Sequence, residues 1–249
     1  MMRTFFAIAS LVCCVSAHAQ IAAVTNLSSG RVLPGVAPGS FVTVYGTFAS
    51  VTATAASSVP FPTTLGGVTV TVDGTAVPLH FVGPTQINLI VPPAATTGVK
   101  NLVVTTGTGP LTSTIRIVNT APGLNVQDTA TPPKGAILNQ NNSLNAQNAP
   151  ARGGEVIQIF GTGPGLFSQD VAAGTATPAS PLITTRSTPQ VYIGAVPAAV
   201  QFSGLTPGSV GLWQVNAVVP AVAFVTGRVP VQIFVDGVDS NEVTAFVAQ

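Results

Sequence analysis

Cysteine is absent from the body of this chain, and charged residues are scarce along its whole length. Both cysteines, Cys13 and Cys14, fall within the first 19 residues, so a chain without that segment has no disulfide, thiol nucleophile or thiolate metal site. Charged residues make up 6% of the sequence, against roughly 25% in a typical soluble domain. The net charge is +1 and the basic residues are scattered, which excludes the electrostatic footprint of a nucleic-acid-binding protein.

Long apolar runs are missing after the N-terminal segment. No stretch beyond residue 20 approaches the ~18 apolar residues that a transmembrane helix needs. The N-terminus itself is organised as a signal peptide, with a basic Arg3, an apolar run from Phe5 to Val15 and small residues in Ala17-His18-Ala19. We predict a signal peptide over residues 1–19, a mature chain that starts at Gln20, and an extracytoplasmic location, whether secreted, periplasmic or at the cell surface.

What the chain has in abundance is turn formers and β-formers. It contains 25 glycines and 21 prolines, and valine and threonine recur in short alternating runs that favour strands. The run from Phe41 to Tyr45 ends at Gly46, and the run from Gly67 to Val72 ends at Asp73-Gly74, a strong hairpin signal. The pattern predicts an all-β fold.

The two halves of the chain repeat the same landmarks in the same order. Gln86-Ile-Asn88, followed by Val91-Pro92, is echoed by Gln214-Val-Asn216, followed by Val219-Pro220. The run Phe41–Gly46 is likewise echoed by Val156–Gly161. We predict two tandem immunoglobulin-like β-sandwich modules, over residues 24–123 and 124–249.

A polar segment, Asn139–Asn148, lies between the two repeated units. Its asparagine and glutamine content is typical of a polar linker. A prion-like segment is the alternative that the same composition allows.

An ordered set of short motifs runs through both halves. They are Val36-Ala-Pro-Gly39, Tyr45-Gly46, Leu65-Gly-Gly-Val68, Gln86-Ile-Asn88, Val91-Pro92, Ala121-Pro-Gly123, Pro150-Ala151, Gly161-Thr-Gly163, Tyr192-Ile-Gly194, Gly204-Leu-Thr-Pro-Gly208, Gly211-Leu-Trp-Gln-Val-Asn216, Val219-Pro220 and Ser240-Asn241. This set resembles the Solibacter-type C-terminal domain family of secreted acidobacterial proteins and, more distantly, IPT/TIG immunoglobulin-like domains. The resemblance implies an extracytoplasmic pair of β-sandwiches with no assigned activity.

Candidate residues for catalysis or metal binding are few. A Ser-His-Asp site would have to use His80, the one histidine after the predicted leader, and no G-x-S-x-G motif occurs. One histidine without cysteine does not make a zinc site. Asp236–Asn241 lacks the spacing of a calcium loop, and Gly161–Gly165 fits no phosphate-binding pattern, so we interpret them as a turn and a strand-ending loop. We therefore predict no enzyme activity, no catalytic residue, no metal and no cofactor.

The Gln-x-Asn pairs are the most informative polar residues. Residues i and i+2 of a strand face the same side, so Gln86 shares a face with Asn88 and Gln214 with Asn216. One hypothesis is a duplicated ligand site. The other, which we favour, is a structural polar motif in which each asparagine amide bonds backbone groups of a neighbouring loop, because a strand that ends at proline loses a ladder donor.

The favoured function is a secreted or cell-surface, non-catalytic binding or structural module, with an unknown protein or glycan partner. The alternative is a carbohydrate-active protein, either a glycan-binding module or a weak glycoside hydrolase. Exposed aromatic side chains in a row would favour glycan binding. We expect Trp213 to pack internally and the ten phenylalanines after the leader to occupy mostly core-like strand sites.

Overall fold

The regular structure of residues 20–249 consists of β-strands. The computed structural model describes residues 20–249, so the predicted signal peptide lies outside the described residues. The strands are β1 (Gln20–Asn26), β2 (Phe41–Thr47), β3 (Thr54–Ala55), β4 (Thr64–Leu65), β5 (Val68–Val72), β6 (Thr75–Ala76), β7 (Leu79–Val82), β8 (Gln86–Ile90), β9 (Gly98–Thr106), β10 (Gly109–Ile117), β11 (Gly123–Leu124), β12 (Ile137–Leu138), β13 (Ala151–Arg152), β14 (Val156–Thr162), β15 (Gln190–Ile193), β16 (Val196–Ala198), β17 (Val200–Leu205), β18 (Trp213–Val218), β19 (Gly227–Val235), β20 (Val238–Asp239) and β21 (Val243–Ala248). The predicted all-β class is confirmed. Within residues 20–249 there is no helix long and apolar enough to cross a membrane.

The strands up to β10 form two antiparallel sheets. Sheet I has the order β1-β2-β8-β7-β3, and sheet II has the order β10-β9-β5-β4, with β6 beside β5. Lettered in chain order, the main strands read A-B-E-D and G-F-C, which is the strand order of an immunoglobulin-like sandwich. Alternate residues of these strands, among them Val42, Ile87 and Leu102, are fully buried in one shared core.

The strands from β11 onward repeat this arrangement. Sheet III has the order β11-β14-β18-β17, with β12 beside β14, and sheet IV has the order β13-β21-β19-β15-β16, with β20 beside β19. Trp213 lies in the core at 1% exposure, and its indole Nε1 donates to Ser203 Oγ at 3.0 Å, so its predicted packing role is confirmed. The immunoglobulin-like topology therefore occurs twice. The module limits at residues 123 and 124 stay a prediction, and they fall inside β11.

The two sandwiches contact each other directly. The Phe41 amide donates to Thr162 Oγ1 at 2.9 Å, and Arg31 Nη1 donates to Asp239 Oδ2 at 3.1 Å. Farther out, the Phe61 amide donates to the Gly174 carbonyl at 2.9 Å, so the long connection between β14 and β15 lies against the first sandwich.

The polar segment 139–148 is a tethered loop rather than a linker. Asn145 is 1% exposed, and it exchanges two hydrogen bonds with the backbone of Phe246 in β21, at 2.8 and 2.7 Å. Its Nδ2 also donates to Asn139 Oδ1 at 2.9 Å. The linker interpretation is wrong because buried amide side chains fix this segment to the second sandwich.

The hairpin predicted at Asp73-Gly74 is present between β5 and β6. Both residues have positive φ, as a tight hairpin turn requires. The Asn101 amide donates to the Asp73 carboxylate at 2.8 Å and Lys100 Nζ lies 3.3 Å away. The backbone hydrogen bond from Asn101, and then Lys100, lower the pKa of Asp73. The turn is thereby fastened to β9.

Gly163 is placed where no side chain fits. Its φ is +80°, and a Cβ there would overlap the Ala121 carbonyl oxygen at the contact between the sandwiches. Gly237 has the same φ of +80° with open space around it, which makes it a matched control. We expect Gly237→Ala to lower the free energy of unfolding by about 1–2 kcal/mol, the usual cost of left-handed alanine, and Gly163→Ala to lower it clearly more. Urea denaturation measures both; equal losses would contradict the close approach.

Candidate functional site

The two Gln-x-Asn pairs lie on the outer faces of sheets I and III. In β8 the buried Ile87 and Leu89 alternate with the half-buried Gln86 and Asn88. In β18 the residues alternate in the same way, which turns Gln214 and Asn216 outward. Because the core takes every second residue, both members of each pair share the solvent side of their sheet.

The bonds of the two asparagines differ from the expectation. Asn88 Oδ1 accepts from Thr43 Oγ1 at 3.2 Å and from Gln86 Nε2 at 3.1 Å. Asn216 Oδ1 accepts from Gln214 Nε2 at 2.8 Å. Among residues 20–249 neither amide bonds a backbone group, so the predicted backbone bonds are wrong.

The physical reason lies in the strand ends. The carbonyl of Val91, just before Pro92, accepts from the Gly39 amide at 3.1 Å. The carbonyl of Val219, just before Pro220, accepts from the Gly154 amide at 2.8 Å. Backbone groups therefore satisfy these carbonyls, and no side-chain amide is needed.

Each pair keeps one unused donor and one unused acceptor. Within the described chain, Nδ2 of Asn88 and Oε1 of Gln86 have no hydrogen-bond partner. The same is true of Nδ2 of Asn216 and Oε1 of Gln214. The two sandwiches thus present the same hydrogen-bonding groups on equivalent strands.

Aromatic rings flank both pairs on the neighbouring strands. In sheet I, Tyr45 lies opposite Gln86 and Phe81 lies opposite Asn88. In sheet III, Phe160 lies opposite Gln214 and Phe202 lies opposite Asn216. Tyr45 is 42% exposed, and the three phenylalanines are half-buried.

The phenylalanines of β7 and β17 lie over a glycine two residues later. A Cβ on Gly83 would come within 3.0 Å of the Phe81 ring, and one on Gly204 within 2.7 Å of the Phe202 ring. The bare glycine backbone lets each ring lie along the sheet instead of standing away from it. The rings and the amides therefore form a flat surface on the outside of the sheet.

The expectation that the phenylalanines occupy core-like sites is wrong. Of the ten phenylalanines in residues 20–249, Phe48 alone is fully buried. The reason is strand alternation: in β14, Ile157 and Ile159 take the core positions, so Phe160 faces outward with Gln158. The alternation of the run Val156–Gly161 already indicates that Phe160 faces away from Ile157 and Ile159.

Both outer faces are free of charge. The ten strands of sheets I and III contain no aspartate, glutamate, lysine or arginine. Charged residues do occur in the strands of the other two sheets, namely Lys100, Arg116, Arg152, Arg228 and Asp239. The faces that carry the Gln-x-Asn pairs are therefore suited to an uncharged ligand.

The other residues considered for catalysis or metal binding lie in packing contacts, turns or strand ends. His80 is exposed and packs against the rings of Phe41 and Phe61, with centroids 5.7 and 5.1 Å away. In residues 20–249 no three His, Cys, Asp or Glu side chains are grouped as a metal site would require. Asp236 occupies a hairpin turn at φ +49° and accepts from Ser187 Oγ at 3.0 Å, so the turn interpretation is confirmed. β14 ends at Thr162, within Gly161–Gly165, as predicted for a strand-ending loop.

A separate apolar cavity lies at the contact between the sandwiches, lined by Ile90, Leu166 and Leu205 among others. Its volume is about 40 Å³, which leaves room for only a few water molecules. It is too small to hold an organic ligand.

Comparison with known proteins does not identify a family. No family model matches the sequence, and no curated protein sequence matches it. The resemblance to the Solibacter-type C-terminal domain family and to IPT/TIG domains therefore stays a prediction.

Three solved structures show weak similarity to this chain. SGBP-B of the Bacteroides ovatus mixed-linkage glucan utilization locus, in complex with a mixed-linkage heptasaccharide, is 12% identical over 90% of this chain and 46% of its own, with a TM-score of 0.33. SGBP-B from a complex xyloglucan utilization locus of Bacteroides uniformis is 12% identical over 92% and 49%, with a TM-score of 0.29. The tandem immunoglobulin domains of titin are 7% identical over 86% and 89%, with a TM-score of 0.23. The chain spans less than half the length of the two Bacteroides proteins.

Stability measurements separate a ligand-facing asparagine from a structural one. Asn145→Ala leaves buried backbone groups of Phe246 unpaired, so we expect a loss of about 1–3 kcal/mol in the free energy of unfolding. Asn216→Ala removes one acceptor from Gln214, whose Nε2 keeps Gln158 Oε1 at 3.3 Å, so we expect less than about 1 kcal/mol. Urea denaturation of both variants measures this. Equal losses would restore a structural role for Asn216.

Proposed function

We propose that this protein is an extracytoplasmic, non-catalytic binding protein that holds a neutral polysaccharide against the outer faces of sheets I and III. One observation carries the proposal. Each face presents an unpartnered amide donor and an unpartnered amide acceptor between two aromatic rings, and it does so at equivalent positions in both sandwiches.

The chemistry of these groups fits a sugar. Each sugar hydroxyl both donates and accepts, so Asn88 Nδ2 and Gln86 Oε1 match two neighbouring hydroxyls. The rings of Tyr45 and Phe81 offer apolar faces on which the C–H side of a pyranose can lie. The lack of charge on both faces favours a neutral chain over an acidic one.

The distribution of carboxylates supports a binding rather than a hydrolytic role. Glycoside hydrolysis needs two carboxylates on either side of the scissile bond, about 5–9.5 Å apart. Neither face carries a carboxylate on its strands. Asp73 and Asp236 are in hairpin turns, and Asp239 pairs with Arg31 at 3.1 Å. The signal peptide predicted over residues 1–19 supports the extracytoplasmic location.

Affinity gel electrophoresis tests the proposal with hydroxyethyl cellulose, galactomannan and soluble starch as neutral polymers and polygalacturonate as an acidic one. We expect at least one neutral polymer to retard the protein and polygalacturonate to leave its migration unchanged. Tyr45→Ala and Asn216→Ala should each weaken retardation by about tenfold or less, since a lost ring contact or hydrogen bond is worth about 1 kcal/mol. The double variant should lose most of it.

Tyr192→Ala is the matched control. Tyr192 is a half-buried aromatic residue of β15 in sheet IV, which is not one of the two proposed binding faces. Its replacement should leave retardation unchanged. Full binding by the Tyr45→Ala/Asn216→Ala double variant, or no binding of any neutral polymer by the wild-type protein, would overturn the proposal.

A further inference from the structure

The two faces, although built alike, differ in length. We infer that the face of sheet III is the extended binding site, which runs from Phe160 past Gln158 and Asn142 into a polar cleft and holds several sugar units of one chain, whereas the face of sheet I holds a short segment. This inference rests on the proposed function. It adds the length of the sugar chain that is bound and the residues that contact it.

The first face is closed at one end by the second sandwich. Phe41 and Ile90 continue the outer face of sheet I beyond Thr43 and Asn88. Gly211 of the second sandwich covers them: a Cβ there would lie 3.3 Å from the Phe41 ring and 3.5 Å from Ile90 Cδ1. Ile90 is accordingly 2% exposed although it points away from the core of its own sandwich. A sugar chain bound at Tyr45 and Gln86 cannot extend past this point.

The second face stays open at the equivalent end. Val156 and Val218 are opposite each other there, as Phe41 and Ile90 are in the first sandwich. Both valines are half-buried, so no other part of the described chain covers them fully. From Phe160 to Val156 the strand rises roughly 13 Å, which is longer than the open part of the first face.

Amide groups continue along the open face. Gln158 occupies the position that Thr43 has in sheet I, opposite the asparagine of the pair. Its Oε1 accepts from Gln214 Nε2 at 3.3 Å, and its Nε2 donates to Asn142 Oδ1 at 2.7 Å. This row of four amides, which ends at Asn216, fixes the orientation of each member. Fixed amides lose little side-chain entropy when they bind a ligand.

A polar cleft lies at the other end of this row, beside Asn142. Its volume is about 410 Å³, and Gln140, Asn141, Arg152 and Glu155 line it. Gln140 Oε1 accepts from the Val156 amide at 3.0 Å, so the cleft adjoins the end of the open face. The one cation and one carboxylate balance in charge, which suits a neutral chain.

The loop 139–148 therefore contributes side chains to the extended sugar-binding site. Asn145 anchors it to β21, and Asn139 closes it by donating to the Ala149 carbonyl at its far end. Gln140 accepts from the backbone of β14 and Asn142 accepts from Gln158 of the same strand. The first sandwich has the same Gln-x-Asn pair, but Thr43 is in place of Gln158 and no such amide row follows. The loop and Gln158 are thus what distinguishes the two faces.

Isothermal titration with cello-, manno- and malto-oligosaccharides, from disaccharide to hexasaccharide, tests this difference. In the Tyr45→Ala protein, which reports on the second face, we expect the affinity for the preferred series to rise up to at least the tetrasaccharide. Gln158→Thr introduces the residue of the first face and should weaken hexasaccharide binding about five- to tenfold while disaccharide binding changes little. Asn148→Ala, an exposed asparagine of the same loop without a side-chain bond in residues 20–249, should behave as the parent protein.

The outcomes separate this inference from the proposed function. The extended site is overturned if affinity stops rising at the disaccharide, or if Gln158→Thr weakens all lengths equally or none. It is also overturned if the protein is retarded by a neutral polymer in gels but binds none of the oligosaccharides, although the proposed function then stands. Unimpaired polymer binding by the Tyr45→Ala/Asn216→Ala protein overturns the proposed function itself.

Discussion

Burial of every second residue of a strand is the constraint on which the rest of this structure depends. Valine and isoleucine fill the two cores from one side of each sheet, as Ile87 and Val215 do. The residues between the buried ones then face the outer side of each sheet. In β8 and β18 that is a glutamine and an asparagine two residues apart, so the same packing rule that builds each core also sets each amide pair on a solvent-facing surface.

Because the fold occurs twice, the outer face with the Gln-x-Asn pair also occurs twice. The contact between the sandwiches then makes the two faces differ in open length. Equivalent strands bring an aromatic ring beside each amide in both halves. The second sandwich, however, rests on the first at Phe41 and Ile90, where Gly211 comes close. A tight junction therefore shortens one face, while the loop 139–148 lengthens the other. The same sandwich fold therefore presents two faces with the same chemical groups but different open lengths.

The sequence predicts much of the fold and only part of the site. Alternating runs and the Asp73-Gly74 turn predict the strands and a hairpin that the structure contains, and the neighbours of Trp213 predict its burial. Alternation also reveals which residues share a face within one strand. It does not reveal which strands become neighbours, so the row from Asn142 to Gln158 could not be seen. The loop 139–148 was mistaken for a linker because its composition is polar, whereas buried bonds of Asn145 hold it.

Side-chain amide NMR spectra of the protein test the central claim most directly. The Nδ2 protons of Asn88 and Asn216 have no partner within residues 20–249, whereas those of Asn145 are bonded to Asn139 and Phe246. On addition of a bound neutral oligosaccharide, the resonances of Asn88 and Asn216 should shift and those of Asn145 should stay in place. Shifts confined to other surfaces, with Asn88 and Asn216 unchanged, would contradict a ligand role for the Gln-x-Asn faces.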